Sequence, residues 1–383
     1  MSRYLDGIHQ YRRGQLSCVE AADLLGISER HFRRLRDRYE VDGAEGLIDR
    51  RRERQSGRRA GADKIEFVVE QYRTRYFDFT VKHFHEALCA EHGFDLSYTW
   101  VKTVLQQRAI VPVSTKRSAH RKKRVRKALP GMMLFQDGSP HEWLAGQPPL
   151  DLIVTMDDAT SEITSMFLVA EEGTASSFLG LSETIARKGL FSSFYTDRGS
   201  HYFLTPKAGG KVDRRQLTQV GRALAELKIE HIASYSPQGR GRMERVFGTL
   251  QKRLPPVLRL KQITTLEAAN RFLKEIYLRD HNARFAVAAA DEGSAFVPFA
   301  GEVKDVLCIR QERVVSNDNC VRYEGRILQI PEQRHRRHFV KATVQVHYYP
   351  DGSMAIFHGP RKLADYRSDA TLIEEENLTR SAA

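Results

Sequence analysis

Cysteine is scarce: Cys18, Cys89, Cys308 and Cys320 are the only four in 383 residues, and no two form a CxxC pair. That scatter excludes a disulfide framework and a structural zinc site built on paired thiolates. Long apolar runs are missing too. Nowhere do about 18 apolar residues follow one another, so no membrane span is expected. The first residues, MSRYLDGIHQYRRGQ, lack the apolar centre of a signal peptide, which points to the cytoplasm. Acid is missing where base is dense. Residues 112–131, PVSTKRSAHRKKRVRKALPG, carry eight Lys or Arg and no Asp or Glu. Residues 236–254, SPQGRGRMERVFGTLQKRL, keep one acid, Glu244, among five Lys and Arg.

What is present begins with charge. The net charge is +13 and the isoelectric point is near 9.6, with 41% hydrophobic and 28% charged residues. This is a globular composition with an excess that favours a polyanion, and nucleic acid is the usual one. The chain is long enough for two or three domains. Eight positive charges fall in the 112–131 segment, where a linker would track phosphates. Its Lys116, Arg117, Arg121, Lys122, Lys123 and Arg124 are candidate DNA contacts.

Residues 16–40, LSCVEAADLLGISERHFRRLRDRYE, have helix-turn-helix grammar. Val19, Ala22, Leu24 and Leu25 supply the buried side of a first helix, Gly26 the turn and Ser28 the cap of a second. Phe32, Leu35 and Tyr39 recur at helical spacing in that second helix. A recognition helix presents its early polar residues to the major groove, which nominates His31, Arg34 and Arg38. The Arg-rich, Gly-punctuated stretch 46–62 suits an extended arm in a minor groove, with Arg58 and Arg59 as contacts. Residues 63–111 repeat the pattern of helix, Gly turn, Ser97 cap and helix. Here His83, His85 and Cys89 lie within helical reach of one another but lack a fourth ligand, and they are assigned ordinary core and surface roles.

From residue 132 the pattern alternates. Strands are expected at 132–138, 150–161, 162–170, at LFSSFYTD and at IEHIASYS, with helices after the third, fourth and fifth. Three strands, helix, strand, helix, strand, helix is the order of a ribonuclease H-like α/β core with a mixed five-stranded sheet. After residue 300 short strands return, with Pro350-Asp351-Gly352 as a hairpin turn, and a small β-barrel is expected. The expected organisation is a helix-turn-helix domain (1–45), an arm (46–62), a second helical DNA-binding domain (63–111), a basic linker (112–131), the α/β core (132–290), the barrel (300–369) and a flexible tail (370–383).

Asp137 ends the first expected strand and Asp197 the fourth, and these two strands should be neighbours. Glu244 stands beside the Met243, Phe247, Leu250, Leu254 stripe of the helix expected to cross them. Three adjoining carboxylates repel one another unless cations neutralise them. Two divalent ions about 4 Å apart would do so and would promote in-line phosphoryl transfer. Oxygen ligands select Mg²⁺ or Mn²⁺. Arg240 and Arg242 before Glu244, and Gln251 after it, are further candidates for DNA contact, and SPQGRGR is read as a mobile loop. Glu142, Asp157 and Asp158 are set aside, the last two as residues of a hairpin turn.

Asp137, Asp197 and Glu244, in the settings FQDGSPHEW, FYTDRGSHYF and SYSPQGRGRMERVFGTLQKRL, match the DDE triad of transposases and retroviral integrases. The wording resembles bacterial insertion-sequence transposases of the ISNCY type over most of the chain. The resemblance implies a homo-oligomer on double-stranded DNA that cleaves element ends and joins their 3′ ends to target DNA, a nucleoid-associated protein with no membrane partner. One departure is Asp197-Arg198-Gly199, where relatives often read Asp-Asn-Gly. Another is a longer interval before Glu244, ascribed to an insertion around 205–215.

Overall fold

Strand β1 (Leu134–His141) lies at the centre of a mixed sheet whose order is β3-β2-β1-β4-β5. It pairs antiparallel with β2 (Leu150–Asp157), which pairs antiparallel with β3 (Ile163–Val169). On its other side it pairs parallel with β4 (Ser193–Thr196), which pairs parallel with β5 (Glu230–Ala233). A mixed five-stranded sheet with the first strand beside the fourth is what the strand pattern implied. The computed structural model describes residues 2–48, 60–113, 124–207, 210–235, 237–333 and 336–373.

Side chains alternate across a strand, and in β1 this alternation separates two cores. Leu134 joins one with Phe178, Leu181 and Ile185 of α7 (Thr174–Lys188) and Val220 and Leu224 of α8 (Gln219–Glu226). Phe135 faces the other way, into a core with Met243, Phe247, Leu250, Leu254 and Leu258 of α9 (Pro237–Leu260). Asp137 and Ser139 share the parity of Phe135, so they fall on the α9 face. Tyr195 of β4 also packs against that core, and Asp197 shares its parity. The sheet thereby aims both aspartates at one helix.

Helix α9 begins at Pro237, so the segment expected as a loop is already helical there. Proline suits a first helical turn because its missing N–H would have no partner. Helices α10 (Leu266–Phe272) and α11 (Leu278–Phe285) complete that face. Asp157 and Asp158, expected at an ordinary hairpin turn, are 1% and 0% exposed. Asp157 accepts from Gly131 N and Thr160 N, and Asp158 from Lys127 N. They anchor the entry to β1 onto the β2–β3 turn.

The chain divides into two units, residues 1–70 and 71–383. In the first, α1 (Ser2–Arg12), α2 (Cys18–Leu25) and α3 (Glu29–Asp42) enclose Ile8, Ala21, Ala22, Leu25 and Phe32. Ser17 and Ser28 cap α2 and α3, and Gly26 takes φ 68° at the turn between them, a left-handed conformation that favours glycine. Val19 and Leu24, expected inside, are 53% and 48% exposed. Ala21 takes their place in the core, which turns α2 by about one residue relative to the expectation.

Helix α4 (Ala62–Thr74) spans the division. In the second unit α5 (Val81–His92) and α6 (Tyr98–Gln107) are capped by Thr80 and by the expected Ser97, with a left-handed Gly93 between them. They are bolted to the α/β core by charge: Arg253 of α9 and Arg284 of α11 both bond Glu86, and Arg259 bonds Asp78. Burial alone would raise the Glu86 pKa, but the two arginines outweigh it and hold it below the usual range.

At the C-terminal end, β6 (Ile309–Val314), β9 (Thr343–Tyr348), β10 (Met354–His358), β11 (Arg361–Tyr366) and β12 (Leu372–Ile373) form a sheet of order β12-β11-β10-β9-β6. Strands β7 (Cys320–Tyr323) and β8 (Arg326–Gln329) form a separate hairpin that shares the same core. Asp351 Oδ1 accepts from Ser353 N at 2.9 Å in the β9–β10 turn, as the Pro-Asp-Gly motif implied. No pairing among the described residues closes these strands into the expected barrel.

Candidate active site

Asp137 sits within β1 and Asp197 one residue past the end of β4. Asp197 Oδ1 accepts from Gly199 N at 2.8 Å, which fixes the turn that follows the strand. Arg198, the departure from Asp-Asn-Gly, donates to Gly210 O at 2.7 Å and lies over the Tyr235 ring. It braces the turn and leaves the neighbouring acid in place.

The guanidinium of Arg240 reaches both aspartates. Its Nη2 is ion-paired with Asp137 Oδ2, and its Nη1 lies 4.0 Å from Asp197 Oδ2. Burial pushes the Asp137 pKa up to about 6, Glu172 and Asp197 add repulsion, and Arg240 offsets only part of this. The same acids hold Arg240 charged against the effect of its own burial. The pocket therefore demands a cation, and the fold supplies one from α9.

Glu172 is an acid that sequence reasoning missed. It follows β3, accepts from Tyr202 Oη at 3.4 Å and lies 3.6 Å from His201 Nε2. Gly138 makes its approach to β1 possible: a Cβ there would stand 2.4 Å from Glu172 Oε2. The only sequence signal was a glycine directly after a strand carboxylate, which invites a close neighbour without naming it.

Glu244 is exposed. Among the described residues no three His, Cys, Asp or Glu stand close enough to hold a metal. Its placement on α9 is nevertheless defined by its neighbours. Arg240, one turn earlier, reaches Asp137, while Gln251 Nε2, two turns later, donates to Ser139 Oγ at 3.0 Å. At about 3.6 residues per turn these three positions share one flank of the helix.

Other nominated residues divide in two. His31, Arg34 and Arg38 are exposed on α3, with no side-chain hydrogen bond or ion pair among the described residues. Arg124 and Arg242 instead bind one buried acid, Asp158. Arg58, Arg59, Lys116, Arg117, Arg121, Lys122 and Lys123 lie outside the described residues. His85 Nε2 is bonded to Leu96 O at 2.9 Å and lies 3.7 Å from Cys89, in keeping with structural roles.

Residues 5–64 match the family model described as winged helix-turn helix. The HTLV-2 integrase catalytic core, solved in complex with magnesium, is similar in fold at 17% identity, covering 39% of this chain and 89% of that one with a TM-score of 0.29. The transposase for insertion sequence IS1202 of Streptococcus pneumoniae is 28% identical over 85% of this chain and 76% of its own length. A protein of Sinorhizobium fredii named as transposase y4bF is 30% identical over 349 residues, 90% of this chain and 75% of that protein. At that identity and coverage, this chain belongs to the transposase family.

Proposed function

We propose that the chain is a DDE-type transposase that binds the terminal inverted repeats of an insertion sequence, cleaves the DNA strand at its ends and transfers the 3′ ends into target DNA. The observation that carries this reading is the convergence of Asp137 and Asp197 from adjacent parallel strands onto a single cation, the Arg240 guanidinium. A site that already holds a guanidinium between two carboxylates suits hard divalent cations, and its donors are all oxygen. Asp137, Asp197 and Glu244 would hold Mg²⁺ or Mn²⁺, two ions per site. Such ions activate a water or 3′-hydroxyl and stabilise the leaving oxygen. Glu244 has the helix flank for this role, bracketed by two residues that already reach β1. Arg240 offsets part of the cost of a charge on the buried Asp137, and Gln251 fixes α9 against Ser139.

His31, Arg34 and Arg38 of α3 would read the repeat in the major groove, with Arg58 and Arg59 in the minor groove. The basic 112–131 segment would follow phosphates. Processing two ends together calls for a homo-oligomer on DNA. The expected domain boundaries, including the second helical reader at 63–111, form part of this proposal.

A second reading, a DNA-binding regulator with an inactive core, has one observation on its side: Glu244 is exposed and, among the described residues, forms no metal-holding group with the aspartates. One experiment separates the two. Purified protein is incubated with labelled duplexes of the element's ends in Mg²⁺ or Mn²⁺, beside Asp137→Asn, Asp197→Asn and Glu244→Gln. The transposase reading expects cleavage and joining by the wild type only, with DNA binding by all four. Wild-type protein that shifts the DNA but never cuts it supports the regulator.

A further inference from the structure

Helix α9 carries arginines on two sides. Arg240 turns to the aspartates, while Arg242 and Arg245 line a cavity of about 280 Å³ with Arg126, Ser161, Thr249 and His281. Val246 and Phe285 complete the lining, which contains no acid. We propose that this cavity binds a backbone phosphate of the DNA strand, a site separate from the carboxylate pocket. The inference rests on the transposase reading for its choice of DNA as the source of the phosphate.

Three observations carry it. First, the positive charge is under-compensated. Arg124 and Arg242 share the one buried carboxylate of Asp158, which leaves the charges of Arg126 and Arg245 unmatched. Second, the donors are held in place and still have capacity. Arg126 is fixed by Nη1 bonds to Asp158 O at 2.9 Å and Ser161 Oγ at 2.8 Å, leaving its Nη2 free of any partner among the described residues. Arg245 spends only Nε, on Gly241 O at 3.0 Å, and keeps both Nη groups. Forked guanidinium donors of this kind match a phosphate. Third, His281 is 5% exposed and its Nδ1 has no hydrogen-bond partner. His281 lines this cavity and also the neighbouring one beside Arg253 and Arg284, and a buried polar atom left unsatisfied there is costly.

Position supports the same ligand. Arg245 is five residues from Arg240, about 7.5 Å along the helix axis, comparable with roughly two nucleotide rises. Five residues also turn the helix by about 140°, so Arg245 stands on a different side of α9 from Arg240, and the phosphate bound there would be a different one from the scissile phosphate. The shared chemistry is a non-bridging phosphate oxygen, and either element-end or target DNA could supply it.

The test uses the full chain and fluorescence anisotropy on two duplexes, one from the element's end and one of unrelated sequence. The salt slope of binding is measured for wild type, Arg245→Gln, Arg245→Lys and, as control, Arg271→Gln, an exposed arginine of α10. Arg245→Gln is expected to flatten the slope by about 0.9, the value of one phosphate contact, and Arg245→Lys to restore it. Neutralising single phosphates as methylphosphonates should weaken wild-type binding at one position that Arg245→Gln no longer senses. Loss on the element-end duplex alone assigns the phosphate to that DNA; equal loss on both assigns it to DNA of any sequence. A slope and methylphosphonate pattern unchanged from wild type in Arg245→Gln overturns the inference and leaves the transposase reading standing. Wild-type protein that binds neither duplex removes both.

Discussion

Two sets of arginines, one on α3 of the N-terminal unit and one on α9 of the second unit, are used in opposite ways. On α3 of the first, Arg30, Arg34 and Arg38 are exposed with no side-chain partner among the described residues, free for an external ligand. In the second, Arg240, Arg242 and Arg253 are each committed to an acid within the fold. Under the proposed function, the difference separates a surface that reads from a pocket that reacts. A reading helix gains by leaving charge in water until a polyanion arrives. A catalytic pocket must gather like charges, so it needs internal counter-charge to remain folded before metal and substrate bind.

The sharpest way to break this comparison is at the pocket. Asp137→Asn or Asp197→Asn is expected to lower strand cleavage by about 10³-fold or more while leaving affinity for the repeat DNA near wild type. Cleavage is read on labelled duplexes and affinity by anisotropy. Removing charge on the reading side should do the converse. Arg34→Ala is expected to weaken repeat binding by roughly 10-fold, at about 1–3 kcal/mol per base contact, with less effect on an unrelated duplex. Uniform weakening on both duplexes would make Arg34 a phosphate contact instead.

Acid should act on the second unit. Burial lowers the pKa of His83, His281 and His347 to about 4 and of His231 to about 3. Unfolded, these histidines titrate near 6.5, so the unfolded chain binds more protons below that value. Their contribution is intact above about pH 6.5 and is lost as pH falls toward 4. Asp137, raised to about 6, opposes this over part of the window, but one group is set against four. Thermal melts from pH 7.5 to 4.5 should show a falling midpoint, and a midpoint that rose on acidification would contradict the burial of these rings. The smallest expected effect is on the cap. Ser28→Ala removes the acceptor for His31 N and should cost the first unit about 1 kcal/mol, measured by denaturant titration.

The same contrast explains what could be read from the chain. In the helix-turn-helix the signals are local. Gly26, Ser28 and the spacing of Phe32 and Leu35 lie within ten residues, and the structure has them as expected. Only the facing of α2 slipped, because Val19, Leu24 and Ala21 are all compatible with a short helix and packing against Ile8 decides among them. In the core, strand order and the parity of Asp137 and Asp197 were legible, since two-residue alternation passes from one neighbouring strand to the next. Glu172 and the pairing of Arg240 were not. They depend on distances between segments dozens of residues apart, and no periodicity encodes those. The C-terminal strands were legible singly, but whether they close is a property of the sheet edges rather than of any strand.

Divalent-ion binding tests the central claim most directly. Mn²⁺ binding to the DNA-bound protein can be followed by electron paramagnetic resonance for wild type, Asp137→Asn, Asp197→Asn and Glu244→Gln. The expected result is specific Mn²⁺ binding by the wild type that each substitution weakens. Wild-type binding that Glu244→Gln leaves unchanged would contradict the three-carboxylate site.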